Sequence, residues 1–169
     1  MKRTLLGIVT ISLGISIAAT ALAQSAPAPA VTKSTKNVRE ERPNVVSGQL
    51  LGRGILYTVN YERYFASWLG IGAGVMGFAA SGGGFGMVPV YLSLNPFGDE
   101  HSLYVSPGVM FAFGTFTGIN STLSQVIGTA EIGWQMQLRS GFMMRAGVDL
   151  LYGSGGFIVW PGVAFGGSF

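Results

Sequence analysis

From Asn44 to the C-terminus, apolar and polar side chains alternate with a period of two residues. Within 142–152 every even-numbered position is apolar, whereas Arg145 and Asp149 lie at odd-numbered positions. The final segment, 157–169, alternates in the same way. A period of two indicates a β-strand whose two faces differ in polarity. The pattern therefore predicts a series of amphipathic strands over this part of the chain.

Clusters of Gly, Ser, Asn and Asp divide the alternating region into segments. Seven such breaks predict eight strands. The first break is the weakest, because residues 44–64 would also fit one long strand with a kink at its glycines. The predicted strands have about the length that crosses a bilayer at a tilt, roughly 9–11 residues. The breaks are expected at 51–54, 65–67, 81–84, 95–100, 117–122, 139–141 and 153–156.

Aromatic residues collect near both ends of the predicted strands. Two aromatic bands that border an apolar belt are typical of a transmembrane barrel, whereas a soluble sandwich would show the alternation alone. One band is expected to contain Tyr61, Tyr64, Phe65, Trp68, Trp134, Phe142, Phe165 and Phe169. The other is expected to contain Phe78, Phe85, Phe111, Phe113, Tyr152 and Phe157.

The composition is typical of a membrane protein. A helical membrane protein must therefore be considered beside a β-barrel. Hydrophobic residues are 49% of the 169 residues and charged residues only 10%, against about 25% charged residues in soluble domains. The uncharged stretch from Tyr64 to Gly98 is long enough for a membrane helix. Within it, however, Gly70, Gly72 and Gly74 recur with a period of two. This favours strands, and the three glycines are expected to keep one interior wall small.

The N-terminus has the parts of a secretory signal peptide. Lys2 and Arg3 precede an apolar run, and Ala21 and Ala23 form an A-x-A pattern before Gln24. We therefore expect export and cleavage after residue 23, with an uncleaved membrane anchor as the alternative.

Residues 24–43 are rich in Ala, Pro, Ser and charged side chains, which predicts a flexible periplasmic linker with solvated charges. Loss of the signal peptide would remove two of the ten Lys and Arg and leave eight against seven Asp and Glu. A nearly neutral chain gives no reason to expect nucleic acid as a partner. The absence of cysteine excludes disulfides and thiolate metal sites.

On these features, residues 44–169 resemble small Gram-negative outer-membrane β-barrels of the OmpX and OmpA-transmembrane-domain kind. The resemblance rests on the signal peptide, the lack of cysteine, the eight alternating strands and the terminal phenylalanine. It implies an all-β fold: an eight-stranded antiparallel up-and-down transmembrane β-barrel. The sequence adds the signal peptide and disordered linker that precede the barrel, and short loops, which depart from the long protruding outer strands of OmpX. The resemblance also implies a monomer in the bacterial outer membrane, surrounded by its lipid.

The resemblance gives the last strand a role as well. In such barrels the terminal strand is recognised by the barrel-assembly machinery, and here Phe169 would be the signal residue, with Phe165 and Val163 on the same lipid-facing side. A periplasmic C-terminus would place the turns at 65–67, 95–100 and 139–141 in the periplasm and the other four outside.

Charged residues on the opposite, inner face are the most informative candidates for a site. An eight-stranded barrel is just wide enough to be filled by side chains, so charges inside it must be paired. Arg145 is therefore expected to pair with at least one inner carboxylate. The set is interpreted as a polar network that fixes strand register, with a narrow proton or ion path as the alternative. It comprises Glu62, Glu131, Arg145 and Asp149, with Asn60, Thr129, Gln135 and Gln137 as hydrogen-bonding neighbours.

Motifs for catalysis or cofactor binding are weak. The single histidine, His101, falls in a predicted periplasmic turn beside Asp99 and Glu100, far from the outer bilayer surface where lipid-modifying barrel enzymes act. The stretch GAGVMG at 72–77 matches a dinucleotide-binding glycine pattern, but no helix can follow it. We expect no cofactor, and a non-enzymatic barrel with a structural or surface-interaction role. A narrow pore for small or hydrophobic solutes and a lipid-modifying enzyme are the alternatives.

Overall fold

The computed structural model describes residues 35–80, 83–116 and 119–169. The expected cleavage site at Ala21, Ala23 and Gln24 lies outside these residues, as does the first part of the expected linker. No helix among the described residues is long and apolar enough to cross a membrane.

Eight antiparallel strands follow one another around a closed barrel, and the last strand pairs with the first. A helical turn, α1 (Val38–Glu41), precedes the barrel, and a 3-10 turn (Gly52–Gly54) joins the first two strands. The predicted fold class, the strand count and the weakest break are confirmed. The strands are β1 (Asn44–Leu51), β2 (Tyr57–Ala66), β3 (Leu69–Ala80), β4 (Gly83–Leu94), β5 (His101–Phe116), β6 (Ile119–Gln137), β7 (Phe142–Gly153) and β8 (Gly156–Ser168).

The barrel has two distinct ends, a base and a top. The base is the end where β1 begins and β8 finishes, and where Asn44 and Phe169 exchange two backbone hydrogen bonds of 2.9 Å. The top is the opposite end. Turns at the top are tighter than predicted, because strand pairing continues up to Gly153 and Gly156 and because β6 already begins at Ile119.

The alternation of faces predicted from the sequence is present in the barrel. Along β2, buried and exposed side chains alternate without interruption from Tyr57 to Phe65. Tyr64 and Phe85, both expected in the bands, are nevertheless turned inward and partly or fully covered. Tyr64 is only 3% exposed, because it shares the inner face with Glu62, and Phe85 packs against buried methionines. The face of the strand, rather than its end, decides where these two rings lie.

The end of the expected linker differs from the prediction of a flexible, solvated segment. Val38 and Arg39 in α1 are fully buried at the base of the barrel. Asn37 caps this helical turn by accepting a hydrogen bond from the Arg39 backbone N–H, and the Val38 N–H donates to Asp99 at 2.7 Å. The open base of the barrel offers polar partners that the composition of the segment alone does not reveal.

Glycines on the inner face of β3 make room for larger side chains opposite them, as the sequence predicted. A Cβ atom on Gly72 would overlap with the ring of Tyr91, and one on Gly74 would overlap with the amide of Asn60. By contrast, a Cβ on Gly77, farther along the same strand, would meet nothing within 4 Å. Gly77 lies on the outer face, so the need for a small residue is confined to the inner face of the strand.

We predict that Gly72→Ala destabilises the barrel by about 1–3 kcal/mol, because the new methyl group overpacks the interior against Tyr91. Gly77→Ala is the matched control and should leave the stability nearly unchanged. Equilibrium unfolding in urea of both variants, folded in the same lipid vesicles, measures the difference. Equal stabilities would contradict the assigned packing.

Candidate functional site

The lower part of the barrel interior holds a buried ion pair between β7 and β2. The Arg145 guanidinium donates to both carboxylate oxygens of Glu62, at 3.0 and 3.2 Å, and its Nε donates to Gln135 at 3.1 Å. It also lies over the ring of Tyr104, 4.5 Å from the centroid. Arg145 therefore contacts one of the three inner carboxylates, which is the pairing expected from the sequence. A bidentate pair of this kind fixes the relative position of the two strands.

A second arginine enters the interior from the turn between β1 and β2. Arg53 is 1% exposed, and it donates to a carboxylate oxygen of Glu131 at 2.8 Å. Its Nε lies 3.6 Å from Asp149, and its guanidinium lies 3.8 Å from the ring centroid of Tyr91. Tyr104 donates a hydrogen bond to the same Glu131. The turn thus supplies the cation that two of the inner carboxylates require.

Arg53 is not among the site residues predicted from the sequence, because the LGRG segment predicts only a break between two strands. Two signals point to it. It is the only charged side chain in the otherwise apolar turn LLGRGIL. In addition, Arg145 alone cannot balance three inner carboxylates, and an unpaired buried charge is strongly destabilising.

A third arginine lies at the base. Arg39 donates to the Ser102 hydroxyl and, at 3.4 Å, to the Ser67 carbonyl, and it lies 5.8 Å from the ring centroid of Tyr64. Burial lowers the pKa of the Arg39 guanidinium, although Tyr64 opposes the shift; the group remains charged because its ordinary pKa is so high. With Arg39, the buried charges of the described residues comprise three arginines and three carboxylates.

Three polar groups of the expected set remain without a hydrogen bond among the described residues. Both carboxylate oxygens of Asp149 are buried without a donor, and so are Oδ1 of Asn60 and the hydroxyl of Thr129. Asp149 forms its ion pair with Arg53, whose Nε lies 3.6 Å from the carboxylate. The network therefore holds its charges close together, and the Asp149 carboxylate interacts with it through charge and not through hydrogen bonds to other described residues.

The remaining candidates lie on the outside of the barrel or at its base. Val163, Phe165 and Phe169 are exposed on the outer face of the end of β8. His101 is the first residue of β5 and not part of the turn before it. Its ring stacks on that of Trp134, with centroids 5.5 Å apart. Gln137 at the base donates to the backbone carbonyl of Arg42, at 3.0 Å.

The described residues contain no group of three or more His, Cys, Asp or Glu side chains arranged to hold a metal ion. The outward position of His101 separates it from the inner carboxylates. What the interior can do is hold charge at fixed positions and cross-link strands.

Comparisons with known proteins bear on the fold. No protein-family model matches the sequence, and no curated protein matches it. Among solved structures, the chain is similar to the N-terminal β-barrel domain of OprF from Pseudomonas aeruginosa. The two are 19% identical, the match covers 76% of this chain and 99% of that domain, and the TM-score is 0.54. The chain is also similar to Ail, the attachment invasion locus protein of Yersinia pestis. Here the identity is 16%, the coverage is 75% of this chain and 94% of that one, and the TM-score is 0.46. The likeness to OprF supports the resemblance to outer-membrane barrels at the level of the fold.

We predict that Arg145→Met destabilises the protein by about 3–5 kcal/mol, because Glu62 would be left buried without its cation. The double variant Arg145→Met, Glu62→Gln should recover most of this loss, since it removes both charges together. Arg63→Met is the matched control, as Arg63 neighbours Glu62 in sequence but is exposed on the outer face; an exposed substitution should change the stability by no more than about 0.5 kcal/mol. Urea unfolding measures all three. An unchanged stability for Arg145→Met would contradict a structural role for the network.

Proposed function

We propose that the protein is a non-enzymatic, integral outer-membrane β-barrel with an interior filled by polar side chains, serving a structural or surface-interaction role. The observation that carries the proposal is the contrast between the two faces of the barrel wall. Charges are buried inside, and large apolar side chains are exposed outside. A bilayer is the surrounding in which such an arrangement is stable.

The outer face supports location in a membrane. Soluble monomers rarely expose apolar patches larger than a few hundred Å², whereas here apolar side chains cover the outside of every strand. Up to the level of the β1–β2 turn, closure of the sheet pairs the backbone groups between neighbouring strands, as hydrocarbon surroundings require. The exposed side chains include Val46, Val59, Tyr61, Phe65, Ile71, Val75, Leu92, Leu103, Val109, Phe111, Phe113, Val126, Ile132, Phe142, Val148, Val163 and Phe165.

The inner face supports a closed lumen rather than a pore. Arg145 and Glu62 join opposite parts of the wall, and Arg53 enters from the top to reach Glu131. At the base, α1 lies against the opening and places Arg39 inside. Ions would have to displace three arginines that are held by partners.

The base is proposed to face the periplasm, as the position of the C-terminus in the expected topology requires. Arg139 in the turn before β7 lies 2.6 Å from Glu41 of α1 and 2.8 Å from Asp99. This cluster fastens the N-terminal segment to two turns at the base. The turns at the top are short, whereas the hairpin of β5 and β6 extends beyond the end of β7 and offers the larger surface on that side.

Location is tested by expressing the full-length chain in a Gram-negative host and separating its membranes. We expect the protein in the outer-membrane fraction, at the size of the chain without residues 1–23, with a different mobility in SDS before and after boiling. A single unshifted band in the inner membrane would contradict the proposal, as would a soluble periplasmic band.

The closed lumen is tested by conductance in planar bilayers. The purified barrel should produce no discrete openings, because the buried arginines and their carboxylate partners occupy the interior. Arg53→Ala, which removes the cation entering from the top, is the informative comparison, and Arg63→Ala on the outer face is its control. Regular openings of the unaltered protein would favour a pore.

A further inference from the structure

The barrel wall is incomplete at the top, beside the β1–β2 turn. Residues 156–161 of β8 extend past the end of β1, and residues 76–80 of β3 extend past the last pair with β2, Val59 with Val75. Neither stretch has a strand partner on that side among the described residues. Two strands are thus missing between the free edges, a gap of about 14 Å at a strand spacing of about 4.8 Å. We call this gap the notch; its floor is the turn at 51–56.

Side chains on the inner face become accessible where the wall ends. Ile158 and Leu151 are paired neighbours on adjacent strands, yet Ile158 is 57% exposed and Leu151 only 5%. On β3, Met76 is 5% exposed, while Phe78, the next inner position, is 58% exposed. The inner faces of β8 and β3 are therefore accessible beside the notch, at the level where the pairing with β1 and β2 has ended.

The wall beside the notch is apolar on its outer face. Val159 pairs with Leu150, and Pro161 pairs with Val148. An aromatic pair, Tyr152 with Phe157, lies above them at the end of the strands. Aromatic rings mark the border of the apolar belt in membrane barrels, so the lower part of the notch lies within that belt.

The floor of the notch is apolar too. Leu51, Ile55 and Leu56 are 39%, 37% and 57% exposed. Turns that face water are rich in Gly, Pro, Asn, Asp and Ser, but apart from its two glycines and the inward-pointing Arg53 this turn exposes branched aliphatic side chains. Such a turn is suited to hydrocarbon surroundings.

Several backbone groups near the floor are absent or are satisfied by the chain itself. Because Asn44 and Phe169 exchange hydrogen bonds, odd-numbered residues of β8 direct their backbone groups toward the β1 side. The first such residue above the end of β1 is Pro161, which has no N–H. The Tyr57 hydroxyl donates to the Gly77 carbonyl on the opposite edge. A partner strand would need free groups here, whereas a hydrocarbon chain would not.

Trp160 provides a hydrogen bond to one more backbone carbonyl at the same level, that of Ile55. Its indole N–H donates to the Ile55 carbonyl at 3.1 Å, across the floor of the notch. The ring itself occupies an inner-face position of β8 and is partly exposed. The fluorescence of Trp160 therefore reports on the occupant of the notch.

We propose that the notch is a lateral binding site for an acyl chain of a membrane lipid, which enters the upper interior through the wall. The proposal rests on the proposed location in a membrane. The occupant follows from the apolar floor, the apolar rim and the small number of unpaired donors and acceptors at the floor of the notch.

Fluorescence quenching by lipids with brominated acyl chains tests the site. One variant, Trp68→Phe with Trp134→Phe, keeps Trp160 as the only tryptophan. Its companion adds Trp160→Phe and Val159→Trp, which moves the tryptophan to the outer face at the same height. Both are folded into vesicles of brominated phosphatidylcholine, and heat-dependent mobility in SDS verifies folding.

If an acyl chain occupies the notch, both tryptophans should be quenched to a similar extent, with a ratio of quenching constants close to unity. In an unbroken wall, only the tryptophan at position 159 would be quenched, and that result would overturn the proposal. Quenching of neither tryptophan would instead overturn the location in a membrane.

Two further outcomes identify other occupants, and each overturns the proposal. Quenching of Trp160 by iodide in the aqueous phase, without quenching by brominated chains, would mean that the notch is filled with water. Protection of Trp160 from both quenchers, together with a disulfide-linked dimer of Val159→Cys, would mean that a second copy of the chain fills it.

Discussion

Pairing of charges inside a narrow barrel is the constraint on which the rest of this structure depends. Eight strands enclose an interior just wide enough for side chains to fill, and a charge left there without a partner is strongly destabilising. Three carboxylates on the inner faces of the strands therefore require cations nearby. Only Arg145 comes from a strand. Arg53 comes from a turn at the top and Arg39 from the helical turn at the base, so segments outside the sheet become part of its interior.

The inward direction of the Arg53 side chain explains the positive φ angles in its turn. Leu51 and Ile55 have φ values of 59° and 65°, a region that costs of order 1–3 kcal/mol for such residues. Gly52 also has a positive φ of 67°, and a Cβ there would overlap with Gln49. The turn is bent so that its one charged side chain reaches Glu131. The ion pair and cation–π contact that result offset the strain.

The same turn links the polar interior to the notch. Arg53 can reach the carboxylates in the middle of the barrel only if the β1–β2 hairpin ends well below the tops of the other strands. A short hairpin necessarily leaves the edges of β3 and β8 unpaired above it. The short hairpin thus has two consequences: Arg53 reaches the charge network, and the wall above the hairpin stays open. Pro161, Tyr57 and Trp160 then make the exposed edges tolerable in an apolar setting.

Much of this architecture is determined by the sequence alone, because the alternation of faces is a local property of a strand. Residues 142–152 reveal strand, face and the inward position of Arg145 without any tertiary information. In the same way, the glycines at 70, 72 and 74 indicate a small wall. The tertiary structure was needed for the segments outside the strands, which have no period-two pattern. A turn has no faces, so nothing local shows that Arg53 bends inward. The composition of the N-terminal segment indicates solvation, although the open base of the barrel binds Arg39. The side-chain direction at these sites is set by partners far away in sequence, which appear only once the sheet has closed.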